Sequence, residues 1–565
     1  MNLNEQQLKA INSNSPTILA IAGPGAGKSA TLVARVQRLI RDGTDPAAIC
    51  VITFTRSAAA ELQERLGDVR LGFNGNLHSL MFRLLQQHGH LIGLPQQLTI
   101  LDAETAAELL AECAVKLKSK ASEKALTELR ETWPQWSPGC STWNIDRLVV
   151  KEYYSRMRDS GAVDFDSILH TGLQVIKAIT ATDGFVGWPF KFLFVDEFQD
   201  SSDTDYTIYR AMPMANKFYV GDPDQSIFGF RGGNVGNILD LSEFESTDVI
   251  LLEKNYRSRL EICYAANRLI AHNTCRAEKQ IVATRDGGSI GYRAFEMPAM
   301  ELEFICQLIR EFYPATAAGT AAEVAVLWRS NRLVDECTEY LKAHGIAVVE
   351  RRRVPVAATA TARAALAVMM NPYNEMAVQR YITLIDSKAA ATKANRDATI
   401  RMENLAHLYF KGVSDVLVTP DKGEHFLSEI VGRFSDQIKV PQEARDSITA
   451  AAAKLTGTFT LADLMFALDE QTEADAGNGV AVKTFHSAKG LQFPFVIVGG
   501  MEQETCPGTR KDADIPESRR LFFVAITRAM DRLMITRCHQ RQCAFKAWVM
   551  EPKTASQFVS ECLEL

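Results

Sequence analysis

Apolar residues along the chain gather into short runs, each followed by a polar stretch with helical spacing. "ILAIA" (18–22) is such a run, and "SATLVARVQRLIRDG" after it is apolar at helical spacing until Gly43 stops it. "ICVITF" (49–54) is a second run, and "SAAAELQERLG" a second helix with its own glycine stop. "FKFLFVD" and "KFYVGD" (217–222) come later. Strands apolar on both faces, alternating with helices, predict a parallel α/β core. Between about 91 and 184 the pattern changes: "DAETAAELLAECAVKLKSK" and "NIDRLVVKEYYSRMRDSG" are amphipathic helices and read as an insertion. A second α/β region is expected from near Ile250, with strands in "EVAVLWRS" (323–330), "GIAVVE" (345–350), "VAVKTF" (480–485), "FVIVGG" (495–500) and "RLMITR" (532–537). A second insertion separates them, running from "RRRVPVAATATARAALAVMMNPYN" to "DEQTEADAGNG". Its helices are suggested by "RDATIRMENLAHLYF" and "TLADLMFALDE", and Arg351–Arg353 read as a solvated edge. The expected fold class is α/β, with two parallel-sheet domains each interrupted by a mainly helical insertion. The expected boundaries are 1–90 with 185–250 for the first core, 91–184 for its insertion, 251–352 with 478–565 for the second core, and 353–477 for a reduced second insertion.

Composition changes this picture little. The 565 residues are too many for one core, and roughly two to four domains are expected. A net charge of -6 excludes a generally basic nucleic-acid coat but leaves room for a local basic or stacking groove. No apolar run approaches the length of a membrane span, and "MNLNEQQLKAINS" lacks the basic-then-apolar pattern of a secretory leader. The 11 cysteines are scattered without a CxxC, and Cys538, His539 and Cys543 form a poor metal pattern. A cytoplasmic, reducing location is expected. Little sequence follows the last expected strand, so a long C-terminal partner-binding tail is not expected.

The chemistry concentrates in "AGPGAGKS" (22–29). Gly23, Gly25 and Gly27 allow a tight turn with N–H groups facing inward, ahead of a helix N-terminus. Lys28 can reach the outer phosphates of ATP and Ser29 can hold Mg²⁺, with Ala26 and Ala30 completing the loop. Ala22 stands where the first glycine is usual. In "KFLFVDEFQDSS" (191–202) an apolar strand ends on adjacent carboxylates, a costly arrangement unless a cation or a reaction uses it. Asp196 is then an Mg²⁺ ligand, and Glu197 the group that orients and deprotonates the attacking water. Gln225, in "VGDPDQSIFGFRG", is an amide at a strand exit, suited to sensing the γ-phosphate. Arg257 in "NYRS" and Arg528 in "AITRA" are the positive charges that phosphoryl transfer needs. Both fall in the second core, which puts ATP at an interface between cores.

The ordered set "LNEQQ", "AGPGAGKS", "TFTRSAAAEL", "VDEFQD", "VGDPDQSIFGFRG", "LEKNYRS", "VAVLWRSN", "KTFHSAKGLQFPFV" and "RRLFFVAITRAMDRL" resembles the UvrD/Rep/PcrA-type superfamily 1A DNA helicases. The resemblance implies two RecA-like P-loop domains, 1A and 2A, with insertions 1B and 2B, and ATP-driven 3′-to-5′ movement on single-stranded DNA. It implies that Gln7 reads adenine, that Tyr256 stacks on it, and that Arg35 lies near it. Arg257 and Arg528 match the γ-phosphate arginines. Gly490 matches the loop joining DNA contacts to the nucleotide, and Gln492 the position of a ribose-touching glutamate. For DNA it points to Thr53, Phe54 and Thr55, then to Asn76, Leu77, His78 and Ser79. Phe228, Phe230, Arg231, Arg329, Asn331, His486 and Ser487 complete the strand path. Phe230 replaces a tryptophan, Asn76–Leu77 a Thr–Phe pair, Arg56–Ser57 an Asn–Lys pair and Phe523 a tyrosine. The second insertion is shorter than is typical of the family and lacks the Gly–Ile–Gly hairpin expected to contact duplex. Three functions follow: a helicase or translocase on single-stranded and 3′-tailed DNA, an ATPase that remodels nucleoprotein or serves a partner nuclease in repair or phage defence, and an RNA translocase.

Overall fold

Strand Thr17–Ala22 is apolar on both faces because it lies inside a six-stranded sheet. In a computed structural model the order across that sheet is Phe73–Gly75, Ile49–Ile52, Phe192–Val195, Asn216–Gly221, Thr17–Ala22 and Thr247–Leu252, all parallel. The structure describes residues 3–54, 56–131, 144–181, 188–244, 246–312, 323–352, 356–371, 374–385, 440–452, 455, 460–469, 474–476, 479–508, 514–542 and 550–563. A second, five-stranded parallel sheet has the order Ser289–Phe295, Ala529–Cys538, Phe493–Val498, Val324–Trp328 and Ala481–Thr484. Each sheet is enclosed by helices, as parallel sheets require.

Two expectations about the strands need correction. Ile250 does not open the second core. It lies in Thr247–Leu252, which pairs with Thr17–Ala22 in the first sheet. "GIAVVE" is not a core strand either. Val348 makes a single bridge to Val480, and Glu350–Arg352 pairs antiparallel with Ala474–Ala476. Arg351 and Arg352 therefore stand in a two-stranded ribbon through which the chain leaves for the second insertion and returns.

The first insertion contains helices Ala103–Lys116, Glu123–Glu131, Ile145–Asp159 and Phe165–Ala181. Two of its helix starts follow from local sequence, since Asp102 and Asn144 cap by accepting the Thr105 and Arg147 main-chain N–H groups, while the pairing of Arg130 with buried Asp164 is a contact between separate helix ends. The second insertion supplies helices Val356–Met370, Glu375–Ile385, Gln442–Ala452 and Leu461–Asp469, while "RDATIRMENLAHLYF" lies outside the described residues.

The second insertion does not stand apart. Helix Val356–Met370 reads "VAATATARAALAVMM", small and apolar around most of its circumference, so it needs cover on several sides. Leu366, Tyr381 and Leu464 share one apolar cluster with Leu80 and Met81 of helix Leu77–His88 and with Ile168 and Val175 of helix Phe165–Ala181. Polar contacts fix the seat. Thr99 Oγ1 donates to the Ala367 carbonyl at 2.8 Å, Asn374 Nδ2 to the Ser160 carbonyl at 2.9 Å, and Arg380 pairs with Asp102 and Glu104. The segment that leaves the second core is thus seated on the first core and its insertion. No helix among the described residues is long and apolar enough to cross a membrane.

Because Leu464 is 0% exposed within this shared cluster, Leu464→Ala should cost about 2–5 kcal/mol. Equilibrium chemical denaturation should show the loss in the same transition that unfolds the first core. A separate early transition carrying the whole loss would show the insertion to be an independent unit.

Candidate active site

Helix Lys28–Arg41 has no side-chain cap. Its first turn is preceded by Gly27 at φ 79°, so its leading N–H groups are left for an anion. The loop before it accepts no side chain at two points. A Cβ on Gly25, at φ 66°, would lie 2.6 Å from Arg257 Cβ, and one on Gly27 would lie 2.7 Å from Gln7 Nε2. Gln7 comes from helix Glu5–Asn12, where it forms a capping box with Asn4. Its Nε2 donates to the Ala26 carbonyl at 3.0 Å. Asn4 Nδ2 donates to the Tyr256 hydroxyl at 2.8 Å, and the Tyr256 N–H to the Gly25 carbonyl at 3.0 Å. Tyr256 is 42% exposed beside the loop. Gln7, Tyr256, Gly25 and Arg257 are therefore brought together, with Lys28, Ser29 and Ala30 opening the helix behind them. Arg35 is not brought to that pocket. Its guanidinium is buried, lies over Phe218 and donates to the carbonyls of Ala10, Ile11 and Ser13. It pins the end of the helix that carries Gln7.

The adjacent carboxylates divide their roles by environment. Asp196 follows strand Phe192–Val195, and its N–H bonds the Ile52 carbonyl at 2.9 Å. With Ser29 and Thr53 it lines a cavity of about 20 Å³, on the order of the room one water needs. The rest of its lining is apolar apart from the paired Glu61 and Arg65, and the Ser29 hydroxyl and Asp196 carboxylate are the hard oxygen donors that magnesium takes. Burial, and then the neighbouring Glu197 charge, push the Asp196 carboxyl up. Glu197 goes the other way. Burial opposes its charge, but Lys28 and Lys489 hold it well below the ordinary glutamate range. Lys28 Nζ stands 3.4 Å from Glu197 Oε2, and Gln199 Nε2 donates to the same oxygen at 2.5 Å. Glu197 also takes the left-handed conformation, φ 50°, that a side chain rarely adopts. The like-charge cost apparent in "VDEF" thus falls on Asp196, where a cation would relieve it.

Groups from the second core close the site. Gln225 Oε1 accepts from Arg528 Nη2 at 3.2 Å. Arg528 is 1% exposed and also donates to the Val524 and Leu491 carbonyls. Burial, with Arg257 nearby, pulls its guanidinium well below the ordinary range. Arg257 donates through Nε to Gln492 Oε1 at 3.0 Å and through Nη1 to the Thr527 carbonyl at 3.3 Å. Gln492, expected at a ribose, is here a partner of Arg257.

Beside this cleft runs a row of rings. Phe54 and Phe228 stack at 5.1 Å, Phe228 and Phe230 lie 6.0 Å apart, and Phe230 meets His486 edge-on at 5.6 Å. Phe230 is 66% exposed. Arg231 lies over both Phe228 and Phe230, and the Lys489 ammonium sits 5.0 Å from the Phe228 ring centre. Burial, and then Arg329, Arg231 and Lys489, lower His486 to about 4, so its ring is neutral among cations at neutral pH. Flat faces fringed by positive charge are what a single strand requires.

Other expected strand contacts do not join the row. His78 packs its ring 6.1 Å from Phe165 and 6.3 Å from Phe466, at the junction with both insertions. Asn76 caps helix Leu77–His88 by accepting the Ser79 N–H, and Leu77 and Ser79 are buried. Thr53 is buried beside Ser29, and the Ser487 hydroxyl closes a turn with Thr484. Asn331 is exposed as the first residue of helix Asn331–Ala343. Thr55 lies outside the described residues.

Residues 3–245 match the model of the UvrD/REP helicase N-terminal domain, and residues 250–386 and 356–540 that of the UvrD-like helicase C-terminal domain. The chain belongs to the UvrD/REP helicase family. It is similar to the ATP-dependent DNA helicase PcrA of Staphylococcus epidermidis, with 27% identity over 96% of this chain and 84% of that protein. PcrA of Staphylococcus aureus is 26% identical over 95% of this chain and 83% of its own length. The break between the two domain matches falls at the strand Thr247–Leu252, the last of the first sheet.

Two polar groups of this UvrD-type helicase escaped the sequence reading. Gln199 Nε2 donates to Glu197 and Asp200, while its Oε1 accepts the Asp222 N–H at 2.8 Å. Lys489 bonds the Asp200 carboxylate and, at 2.9 Å, the Gln225 carbonyl. Both lie inside quoted motifs, "VDEFQD" and "KTFHSAKG", and Gly490 follows Lys489 directly. Only their position in space separates them from ordinary surface polar residues.

Gly25→Ala tests the loop. The added Cβ meets Arg257 at a backbone angle unfavourable to side chains. Affinity for a non-hydrolysable ATP analogue, measured by calorimetry, should fall at least about tenfold, with a melting temperature near that of the parent. Unchanged affinity would remove this loop from the nucleotide site.

Proposed function

We propose that this chain is an ATP-dependent DNA helicase that hydrolyses ATP between its two sheets and moves 3′-to-5′ along single-stranded DNA. One observation carries the reading. A single loop holds Gln225 against Arg528 of the second core and, a few residues on, presents Phe228 and Phe230 in the row of rings. A change at the γ-phosphate is thereby linked to a change at the strand.

The roles follow from chemistry. The Gly25 and Gly27 N–H groups, the free helix N-terminus and Lys28 bind the phosphates, whereas the Gly23 N–H, expected to face them, is taken by the Leu252 carbonyl at 3.0 Å. Gln7 and Tyr256 face the base. Ser29 and Asp196 would hold Mg²⁺, whose charge offsets that of the phosphate oxygens. Glu197, kept ionised by Lys28 and Lys489, accepts the proton of the attacking water. Gln225 orients that water, and Arg257 and Arg528 offset charge on the γ-phosphoryl group. Phe54, Phe228 and Phe230 lie on the first-core side of the row, while His486 and Arg329 belong to the second. Closing and opening the cleft would shift one side against the other and regrip the bases.

A second reading has its own support. The second insertion is seated on the first core and its insertion through buried and partly buried contacts, which favours a motor that remodels nucleoprotein or serves a partner nuclease with little unwinding alone. Strand displacement by the purified protein on 3′-tailed, 5′-tailed and blunt duplexes separates the two. Unwinding of the 3′-tailed duplex alone supports the helicase reading, and ATP turnover without displacement supports the other. Stimulation by poly-dT over poly-U distinguishes DNA from RNA.

Lys28→Ala and Glu197→Gln should each abolish DNA-stimulated turnover while leaving oligo-dT affinity within a few-fold, as read by steady-state kinetics and fluorescence anisotropy. Phe230→Ala should weaken oligo-dT binding by about 1–3 kcal/mol and leave DNA-independent turnover intact. Full turnover in Glu197→Gln, or full strand affinity in Phe230→Ala, would contradict the respective assignment.

A further inference from the structure

The loop that carries Gln225 is tied to the second core by a buried ion cluster outside the hydrolytic groups. Lys279 lies between helix Leu260–Ala271 and strand Val282–Ala283 and is 5% exposed. Its Nζ stands 2.7 Å from Asp222 Oδ1 and 2.5 Å from Asp224 Oδ2. Arg276 donates to both oxygens of Asp224, at 3.2 and 2.9 Å, and to the Lys279 carbonyl at 3.3 Å. Burial works against the Lys279 charge, but Asp222 and Asp224 outweigh it and raise the ammonium above its ordinary range.

Asp222 is 0% exposed, and each of its groups is engaged. Oδ1 accepts from Lys279 and from the Asp224 N–H, and Oδ2 accepts from Gln225 Nε2 at 2.5 Å. An ionised carboxylate only accepts hydrogen bonds. It can therefore take the NH₂ end of the Gln225 amide and not the carbonyl end, which turns Oε1 toward Arg528. A reversed amide would set oxygen against carboxylate and NH₂ against guanidinium. The Asp222 N–H fixes a second amide in the same way. It donates to Gln199 Oε1 and so leaves Gln199 Nε2 for Glu197. The direction of both amides beside the reacting groups is set through Asp222, and Asp222 is held by a cation of the other core.

We propose that Lys279, supported by Arg276, is a positioning residue for ATP hydrolysis, holding Asp222 as the acceptor that points Gln225 Oε1 at Arg528 and at the attacking water. The proposal rests on the reading of Gln225 as the γ-phosphate sensor. Lys279 acts through Asp222 and Gln225, not on the nucleotide. Since Lys279 and Asp222 belong to different cores, the sensor is aligned only while the cores are docked at this point.

Steady-state DNA-stimulated hydrolysis by the full chain tests it, in Lys279→Met, in Lys279→Arg, in the charge-neutral double variant Asp222→Ala with Lys279→Met, and in Gln225→Ala as reference. The expected result is a kcat lower by about ten- to a hundredfold in Lys279→Met and in the double variant. KM for ATP and affinity for oligo-dT should stay within about twofold, and Lys279→Arg should recover most of kcat. The double variant leaves no unpaired lysine or aspartate of the pair buried, so it separates alignment from the cost of an uncompensated charge. A folded Lys279→Met with parental kcat overturns the proposal. So does a loss of kcat, KM and DNA affinity that tracks a fall in melting temperature, or failure of both variants to fold, since these assign the cluster to stability alone. Unchanged turnover in Gln225→Ala would instead overturn the reading of the sensor.

Discussion

The Arg528 guanidinium, 1% exposed, donates to the Gln225 amide across the boundary between two separately formed sheets. A charge so deeply buried is tolerated only where acceptors surround it, and here they come from Val524 and Leu491 of its own core and from Gln225 of the other. The remaining features of the site are arranged around that crossing. Arg257 closes on Gly25 from the same side, Lys489 reaches Asp200 and the Gln225 carbonyl, and Lys279 reaches Asp222. None of these pairings can form within one core alone. The cleft is therefore complete only when the two halves of the molecule meet, and the proposed coupling of nucleotide chemistry to movement rests on that.

Electrostatics sorts the carboxylates of this cleft by neighbour rather than by type. Glu197 has two lysines and the Gln199 amide and stays charged. Asp196, one residue away, has burial and a like charge and is pushed up. The strained backbone at Glu197 turns its side chain toward Lys28 while Asp196 stays with Ser29. A sequence of two adjacent acids thus yields two chemically different groups, one suited to a proton and the other to a cation.

Much of the core was legible because strands of a parallel sheet are apolar on both faces and stand out against helical spacing. The runs at 18–22, 49–54 and 323–330 overlap strands Thr17–Ala22, Ile49–Ile52 and Val324–Trp328. Phe73–Gly75 and Ser289–Phe295 were not legible, since edge strands are short or partly polar. The seat of the second insertion was invisible for another reason. It is made by contacts such as Thr99 to Ala367, hundreds of positions apart, which no local pattern records. The same limit explains Arg35 and His78. A motif position says which residue type is present, but the carbonyls of Ala10, Ile11 and Ser13, or the rings of Phe165 and Phe466, decide what it does. Lys489 and Lys279 were missed because a lysine in a loop carries no signal until its carboxylate partners are placed beside it.

The central claim is that one triphosphate is held by both cores at once. A crystal structure of the protein with a non-hydrolysable ATP analogue, Mg²⁺ and oligo-dT tests it most directly. The account predicts Arg257 and Arg528 both within about 3.5 Å of γ-phosphate oxygens, with the strand lying on Phe54, Phe228 and Phe230. A terminal phosphate contacted only by first-core residues, with both arginines turned away, would contradict it.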